Sequence, residues 1–296
     1  GIRCDNRAVA RYQLATDQVV QAARWAHRQR FGSLVLQSGE RRDDRFTAYI
    51  ARILRAVHAA TGGELTITLS CGEQSRATYA RWREAGAHRY LLRIETTNPD
   101  LYRRYHPPDQ DFAARLACLR HLRDTGYQVG TGVLIGLPGQ TAEDLARDLL
   151  FFRELDIDMI GMGPYIPHDE TPLAASSGAY DARAHLELGL RMIAAARLLL
   201  PDVNIAASTA LEALSPRGRE LGLRAGANVV MPNLTPLPVR AGYQLYRGKP
   251  NLAEDTARSL EALREVVARI GETIAFGEAG DALHYRRRVG GGGAEG

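Results

Sequence analysis

The spacing of apolar side chains changes period several times along the chain. From Thr16 to about Arg30 they recur every three to four residues, the repeat of an amphipathic helix. The short apolar run Ser33-Leu34-Val35-Leu36 then reads as a strand. This helix-then-strand order recurs to the C-terminus. Strand candidates end near Gln37, Ser70, Glu95, Leu137, Ile166, Thr209 and Asn233, seven in all. Amphipathic stretches between them, among them Ala113 to Asp124, Ala142 to Leu155, Ala184 to Leu200 and Glu254 to Ile270, predict helices. Strict alternation over this length predicts an α/β protein with a parallel sheet, and the length favours a (β/α)8 TIM-type barrel over an open doubly wound sheet. Seven strands, a leading segment that starts at a loop and the absence of an initiator methionine lead us to expect the first barrel strand upstream of Gly1. One barrel domain is expected over residues 1–289. A flexible Gly-rich tail is expected over 290–296.

Composition narrows the function classes. With 296 residues, 45% hydrophobic and 24% charged, the chain has material for a large core, which excludes disordered and fibrous classes. The 38 basic and 34 acidic residues are interleaved and leave a net charge of +4, so no nucleic-acid partner is indicated. Lys249 is the one lysine in this arginine-rich set, a bias that carries no functional weight at this level. No apolar run reaches the roughly 18 to 20 residues of a membrane helix, and no charged-then-apolar leader opens the sequence, so a cytoplasmic protein without a membrane partner is expected. Cys4, Cys71 and Cys118 are too few and too far apart for a disulfide framework or a paired zinc site.

In a barrel of this kind the site is built where strands run out into the following loops. The sequence turns polar at those points. Leu36 gives way to Gln37-Ser38-Gly39-Glu40, Leu69 to Ser70-Cys71-Gly72-Glu73, and Leu92 to Arg93-Ile94-Glu95-Thr96. Gly136-Leu137-Pro138-Gly139, Tyr165-Ile166-Pro167-His168, Ser208-Thr209 and Met231-Pro232-Asn233 follow. All of these are expected to converge on one mouth.

These stretches carry a resemblance over nearly the whole chain. Gly1-Ile2-Arg3 with Asn6 and Arg11-Tyr12, Val35 to Glu40, Ala85-Gly86-Ala87 and Arg89 to Arg93 belong to it. So do Gly136 to Thr141, Gly163-Pro164 with Ile166-Pro167-His168, Gly226 to Val229, Met231-Pro232-Asn233 and Tyr243-Gln244-Leu245-Tyr246. In these residues the chain resembles the HydE family, radical S-adenosylmethionine (SAM) maturases of FeFe-hydrogenase. The wider group holds biotin synthase and methylornithine synthase. The resemblance implies a radical SAM enzyme that uses a 4Fe-4S cluster to cleave SAM reductively in H-cluster assembly. It also implies a small-molecule or organometallic substrate, an electron donor such as a ferredoxin or flavodoxin, and other hydrogenase maturases as partners.

Residue by residue, the resemblance assigns Ser38, Gly39 and Glu40 to the element whose backbone carbonyls meet the SAM ammonium. Glu95 is implied to accept hydrogen bonds from SAM, and Arg115, in the first turns of a helix, to clamp its carboxylate, a task suited to a planar bidentate donor. Ser70, Ser208, Thr209, Met231, Tyr243 and Tyr246 are implied to line the substrate cavity. Tyr243 and Tyr246 at a three-residue spacing are equally readable as a packing pair, and His168 as a loop-stabilising histidine rather than a metal ligand.

The cluster of this superfamily rests on a CxxxCxxC loop after the first strand, which the resemblance places immediately before Gly1. No metal ligand is therefore expected within the chain, and without the cluster this chain alone is expected to be inactive. Cys4 does not replace the loop, because ligation needs several closely spaced thiolates. No cysteine follows Cys118, so a second cluster like that of some HydE proteins has no ligands. Ile94 stands where some relatives carry histidine and Leu234 where many carry tryptophan. Methylornithine synthase-like or biotin synthase-like chemistry remains the alternative within the class, and a non-catalytic pseudoenzyme or scaffold the alternative outside it. A cluster-free barrel lyase would have only Lys249 for a Schiff base.

Overall fold

The structure is a computed structural model, and it describes residues 2, 6–173, 180–243, 245–246, 248–250 and 256–290. The chain enters through α1 (Thr16–Arg28), which buries Val19, Ala23 and Ala26 at helical spacing. It then alternates β1 (Ser33–Gln37), α2 (Asp44–Ala60), β2 (Thr66–Ser70), α3 (Arg76–Glu84) and β3 (Ala87–Leu91). Helices α4 (Pro99–Tyr105) and α5 (Phe112–Asp124) lead to β4 (Gln128–Thr131) and β5 (Leu134–Ile135). Next come α6 (Ala142–Glu154), β6 (Met159–Ile160), β7 (Gly163–Pro164), α7 (Ala182–Leu199) and β8 (Asn204–Ile205). The C-terminal part is helical, with α8 (Thr209–Leu214), α9 (Gly218–Arg224), α10 (Leu237–Arg240), α11 (Thr256–Arg269) and α12 (Leu283–Gly290).

Six strands pair in parallel in the order β1-β2-β3-β4-β6-β8, and β5 pairs with β7, together a half-barrel. The β5·β7 pair continues the β4·β6 ladder: Gly161 N donates to Thr131 O at 2.8 Å and Tyr165 N to Ile135 O at 2.8 Å. The interruption falls at Gly132 and Gly161, where a Cβ on Gly132 would lie 2.1 Å from the Gly161 carbonyl oxygen. Only glycine lets the two chains pass so closely. An isolated bridge between Ala206 and Val229 adds the seventh chain segment to the sheet. The seven sequence candidates thus correspond to six strand runs and one single-residue bridge. The third ends earlier than expected, at Leu91, with Glu95 attached by its own bridge to Val133. Thr209 opens α8 rather than closing a strand. At the other end Gly290 is the last residue of α12 instead of the start of a loose tail, and residues 291–296 lie outside the described residues.

An aromatic cluster fixes the loop after β2. Phe46, Trp82, Tyr79, Tyr90 and Tyr127 are buried, with Trp82 stacked on Tyr90 at 6.4 Å and Tyr79 edge-on to Tyr90 at 5.1 Å. A buried phenol needs a hydrogen-bond partner, and here the partners are backbone. Tyr90 donates to Gly72 O at 2.7 Å, Tyr127 to Tyr79 O at 2.8 Å, and the Tyr79 hydroxyl accepts from Gln74 N at 3.0 Å. Two of these bonds fall on either side of Glu73. The core therefore sets the position of a strand-end residue.

Candidate active site

Because all the strands are parallel, the segments that follow them leave the sheet at one edge. Arg115 is the charged centre of that edge. It lies on α5, is 4% exposed, and donates from Nη1 to Glu40 Oε1 at 2.9 Å and from Nε to the Tyr102 hydroxyl at 3.2 Å. Glu73 Oε1 stands 2.9 Å from the same Nε. The Nε proton is aimed at Tyr102, so Glu73 meets Arg115 as a charge and its Oε1 has no hydrogen-bond partner. Burial would lower the guanidinium's proton affinity, but Glu40, the Tyr102 hydroxyl and Glu73 more than offset it and hold Arg115 charged. Burial pushes the Glu73 carboxyl above its ordinary value, against the pull of Arg115 and of Arg42, whose Nη2 lies 2.5 Å from Glu73 Oε2.

Glu40 reaches Arg115 by lying across Gly72. A Cβ there would fall 2.1 Å from Glu40 Cγ, and Gly72 has φ +75°, so the position admits only glycine. Gly39 and Ser38 lie in the loop before Glu40, with Ser38 N bonded to Ser70 O at 3.1 Å and the Ser38 hydroxyl to Gly39 O at 2.8 Å. Glu95 sits in the left-handed region at φ +65°, uncommon for a residue with a side chain, and its carboxylate is 3.0 Å from Arg93 Nη2. Glu95 Oε2 and Arg93 Nε are buried without hydrogen-bond partners. The structure thus brings Ser38, Glu40 and Arg115 together and places Glu95 at the next strand end. His106, stacked on Tyr102 at 3.7 Å, has its proton affinity lowered by burial and feels Glu95, Arg115 and Glu40.

A second group of expected residues gathers after β8. Thr209 Oγ1 and the Tyr246 hydroxyl are 2.7 Å apart, and burial pushes the Tyr246 phenol up to about 12. Ser208 takes the N-cap position of α8 without capping it; its buried Oγ has no partner and faces Gly163, where a Cβ would lie 2.7 Å away. The Tyr243 hydroxyl is also buried without a partner, its proton affinity raised first by burial and then by Tyr12, Cys71 and Tyr246. The two hydroxyls thus differ, that of Tyr246 paired with Thr209 and that of Tyr243 without a hydrogen-bond partner. Cys71, raised to about 11 by burial, donates to Leu36 O at 3.9 Å and follows Ser70, whose carbonyl accepts from Ser38 N at 3.1 Å. Ser70 is half-buried beside it, and Met231 is 40% exposed. Gln244 lies outside the described residues.

Five buried polar atoms without hydrogen-bond partners, on Glu73, Arg93, Glu95 and Ser208 after the strands and on Tyr243 after α10, fit a site built for a polar ligand, two of them (Glu73 and Glu95) facing an arginine as charges. Sequence reasoning missed Glu73, whose partners come from α5 and from the loop carrying Arg42. Its only signal was its place in the polar run after β2. The residues fit a metal cluster less well. Cys71 and Cys118 are buried singly, no group of three or more metal-ligating side chains occurs among the described residues, and Cys4 lies outside them.

Parallel strands with acids, arginine and hydroxyls converging on one edge are the layout of a barrel enzyme, and comparison with known proteins supplies the class. The sequence profile of the Radical SAM superfamily matches residues 4–152, and the chain belongs to that superfamily. Within it the chain belongs with HydE: it is 44% identical over 272 residues to the FeFe hydrogenase maturase subunit HydE of Thermotoga maritima, covering 92% of this chain and 75% of that protein. The 3-methylornithine synthase of Methanosarcina acetivorans is 28% identical over 232 residues, 77% of this chain and 62% of that one. The crystal structure of methylornithine synthase superposes with a TM-score of 0.76 at 25% identity, covering 93% of this chain and 77% of that one. The FeFe-hydrogenase maturase HydG from Carboxydothermus hydrogenoformans shares the fold, with a TM-score of 0.74 at 20% identity, over 97% of this chain and 64% of its own.

Proposed function

We propose that this radical SAM enzyme acts in FeFe-hydrogenase H-cluster assembly. The observation that carries the reading is the buried Arg115, held charged at the strand-end mouth of a chain 44% identical to HydE. The amino-acid end of SAM presents a carboxylate and an ammonium, and a half-buried pocket must pair both. Arg115 offers the carboxylate a planar donor, with Glu40 giving up its place on Nη1. The backbone carbonyls of Gly39 and Glu40, with Ser38 beside them, take the ammonium. Glu95 accepts hydrogen bonds from SAM. Bound SAM supplies, on reductive cleavage, the radical chemistry of the superfamily. The chain's part is to orient it and exclude water. Ser70, Ser208, Thr209, Met231, Tyr243 and Tyr246 line the space for a small, metal-bearing substrate: hydroxyls for its anionic groups, aromatic faces to enclose it. Reduction calls for a one-electron donor of the ferredoxin or flavodoxin type, and assembly calls for the companion maturases. No helix among the described residues is long and apolar enough to cross a membrane.

The test is complementation. An FeFe-hydrogenase produced with its other maturases but without HydE should regain hydrogen evolution when the gene encoding this chain is added, and no recovery would overturn the reading. If the same gene instead restores methylornithine formation in cells lacking that synthase, the amino-acid mutase reading replaces it.

A further inference from the structure

Two residues beyond Glu95 the chain is tied to a buried carboxylate of α6, Asp148. A non-glycine residue at φ +65° is held there at a cost of about 1 to 2 kcal/mol, so the chain on both sides of it must be fixed. On the sheet side, Glu95 N donates to Gly132 O at 3.0 Å and Leu134 N to Glu95 O at 2.9 Å. On the far side the anchor is Asp148 of α6. Its Oδ1 accepts both the backbone N–H of Thr97, at 2.8 Å, and the Thr97 hydroxyl, at 2.6 Å. One turn earlier on the same helix face, Asp144 Oδ1 accepts from Asn98 Nδ2 at 2.8 Å.

Asp148 is 0% exposed, its Oδ2 has no partner, and burial pushes its carboxyl up to about 6. An asparagine oxygen accepts the same two donors without the cost of burying a charge. We propose that Asp148 is a positioning residue for SAM recognition: through Thr97 it holds the Glu95 loop in the conformation that presents the Glu95 carboxylate at the strand-end mouth. The inference rests on the reading of Glu95 as a SAM ligand.

The test is equilibrium binding of SAM, by calorimetry, to the anaerobically reconstituted protein as its gene encodes it. Asp148→Ala should weaken SAM at least tenfold, and Asp148→Asn should stay within threefold of wild type, because the amide oxygen keeps both Thr97 bonds. A tie that is only structural would lower the melting temperature of Asp148→Ala and leave its affinity within threefold, which would overturn the inference. Should Asp148→Ala fail to fold, Thr97→Val carries the test: it removes one of the two bonds and should weaken SAM at least threefold, and unchanged affinity overturns the inference. Glu95→Ala separates the two levels. If it weakens SAM while the Asp148 and Thr97 variants do not, only the positioning role fails; if it leaves affinity unchanged, the ligand reading beneath it fails.

Discussion

At the scale of single residues, a buried charge is informative because leaving one without a partner costs about 3 to 5 kcal/mol. Arg115 has partners on Glu40 and Tyr102 in the free protein, and a ligand carboxylate that replaces Glu40 keeps it satisfied. We therefore expect Arg115→Ala and Glu95→Ala to weaken SAM binding by tens-fold, roughly 2 kcal/mol or more. Arg120→Ala, exposed on the same helix, should leave it within about threefold. Calorimetry with a circular dichroism check decides this, and a loss with Arg120→Ala in place of Arg115→Ala would put the wrong face of α5 in the site. Asp148 gives a prediction of opposite sign to the usual acid effect. Its carboxyl is raised from 3.8 to about 6, so its contribution is complete below pH 4 and is lost as the pH rises through about 6. Relative to wild type, Asp148→Asn should gain thermal stability between pH 4 and 7, by at most about 3 kcal/mol. A stability difference that does not vary with pH would show that Asp148 does not titrate in that window. The sequence made Arg115 legible because helix register and family pattern agree on it. Glu73 was not legible, since nothing local separates a loop glutamate in solvent from one 2% exposed beneath two arginines that are distant in the chain.

At the scale of elements, the period of apolar positions located the helices to within a few residues, because one-sided burial enforces it. It described the strands less well. The β4–β5 run is broken at Gly132 by a close approach to Gly161, and the Val229 segment holds the sheet by one bridge, and neither contact leaves a local trace in a short apolar run. The periodicity left α12 unmarked for a similar reason. α12 is short and polar, and what binds it is a tertiary ion network at the opposite end of the strands. Asp158, 0% exposed at the start of β6, accepts from Val129 N, Arg288 Nη2 and His284 Nδ1, each at 2.8 Å. The other His284 nitrogen meets Asp156 at 2.8 Å, and Tyr285 is buried beside them. Asp158→Ala should cost about 3 to 5 kcal/mol, because it strands a backbone N–H and a guanidinium together. That corresponds to a melting temperature lower by roughly 10 °C. Amide exchange along 283–290 should rise by a larger factor than in α5, and equal protection in wild type and variant would show that Asp158 does not hold α12.

At the scale of the whole molecule, 38 basic side chains include a single lysine, so any process that favours arginine has spared only position 249. Lys249 is half-buried, with Nζ 2.8 Å from the Tyr243 carbonyl oxygen and 4.0 Å from the centre of the Tyr243 ring. The carbonyl and the ring face favour the ammonium, whereas burial foremost, then the neighbouring Arg240, disfavour it and bring its pKa to about 8. An ordinary lysine near 10.4 is neutral in only about one molecule in 2,500 at pH 7, whereas one near 8 is neutral in about one in ten. Because no other side-chain amine in these 296 residues competes, labelling within them reports on this one group. Brief treatment with an amine-reactive acylating reagent at pH 7 should give one side-chain adduct, mapped to Lys249 by mass spectrometry, and its rate should level off above about pH 8. A rate that still climbs tenfold per unit at pH 9 would mean that the ring and carbonyl outweigh burial. Loss of that low-pH labelling on adding SAM would place Lys249 at the closed mouth, whereas unchanged labelling would place it behind Tyr243, outside the volume the ligands fill.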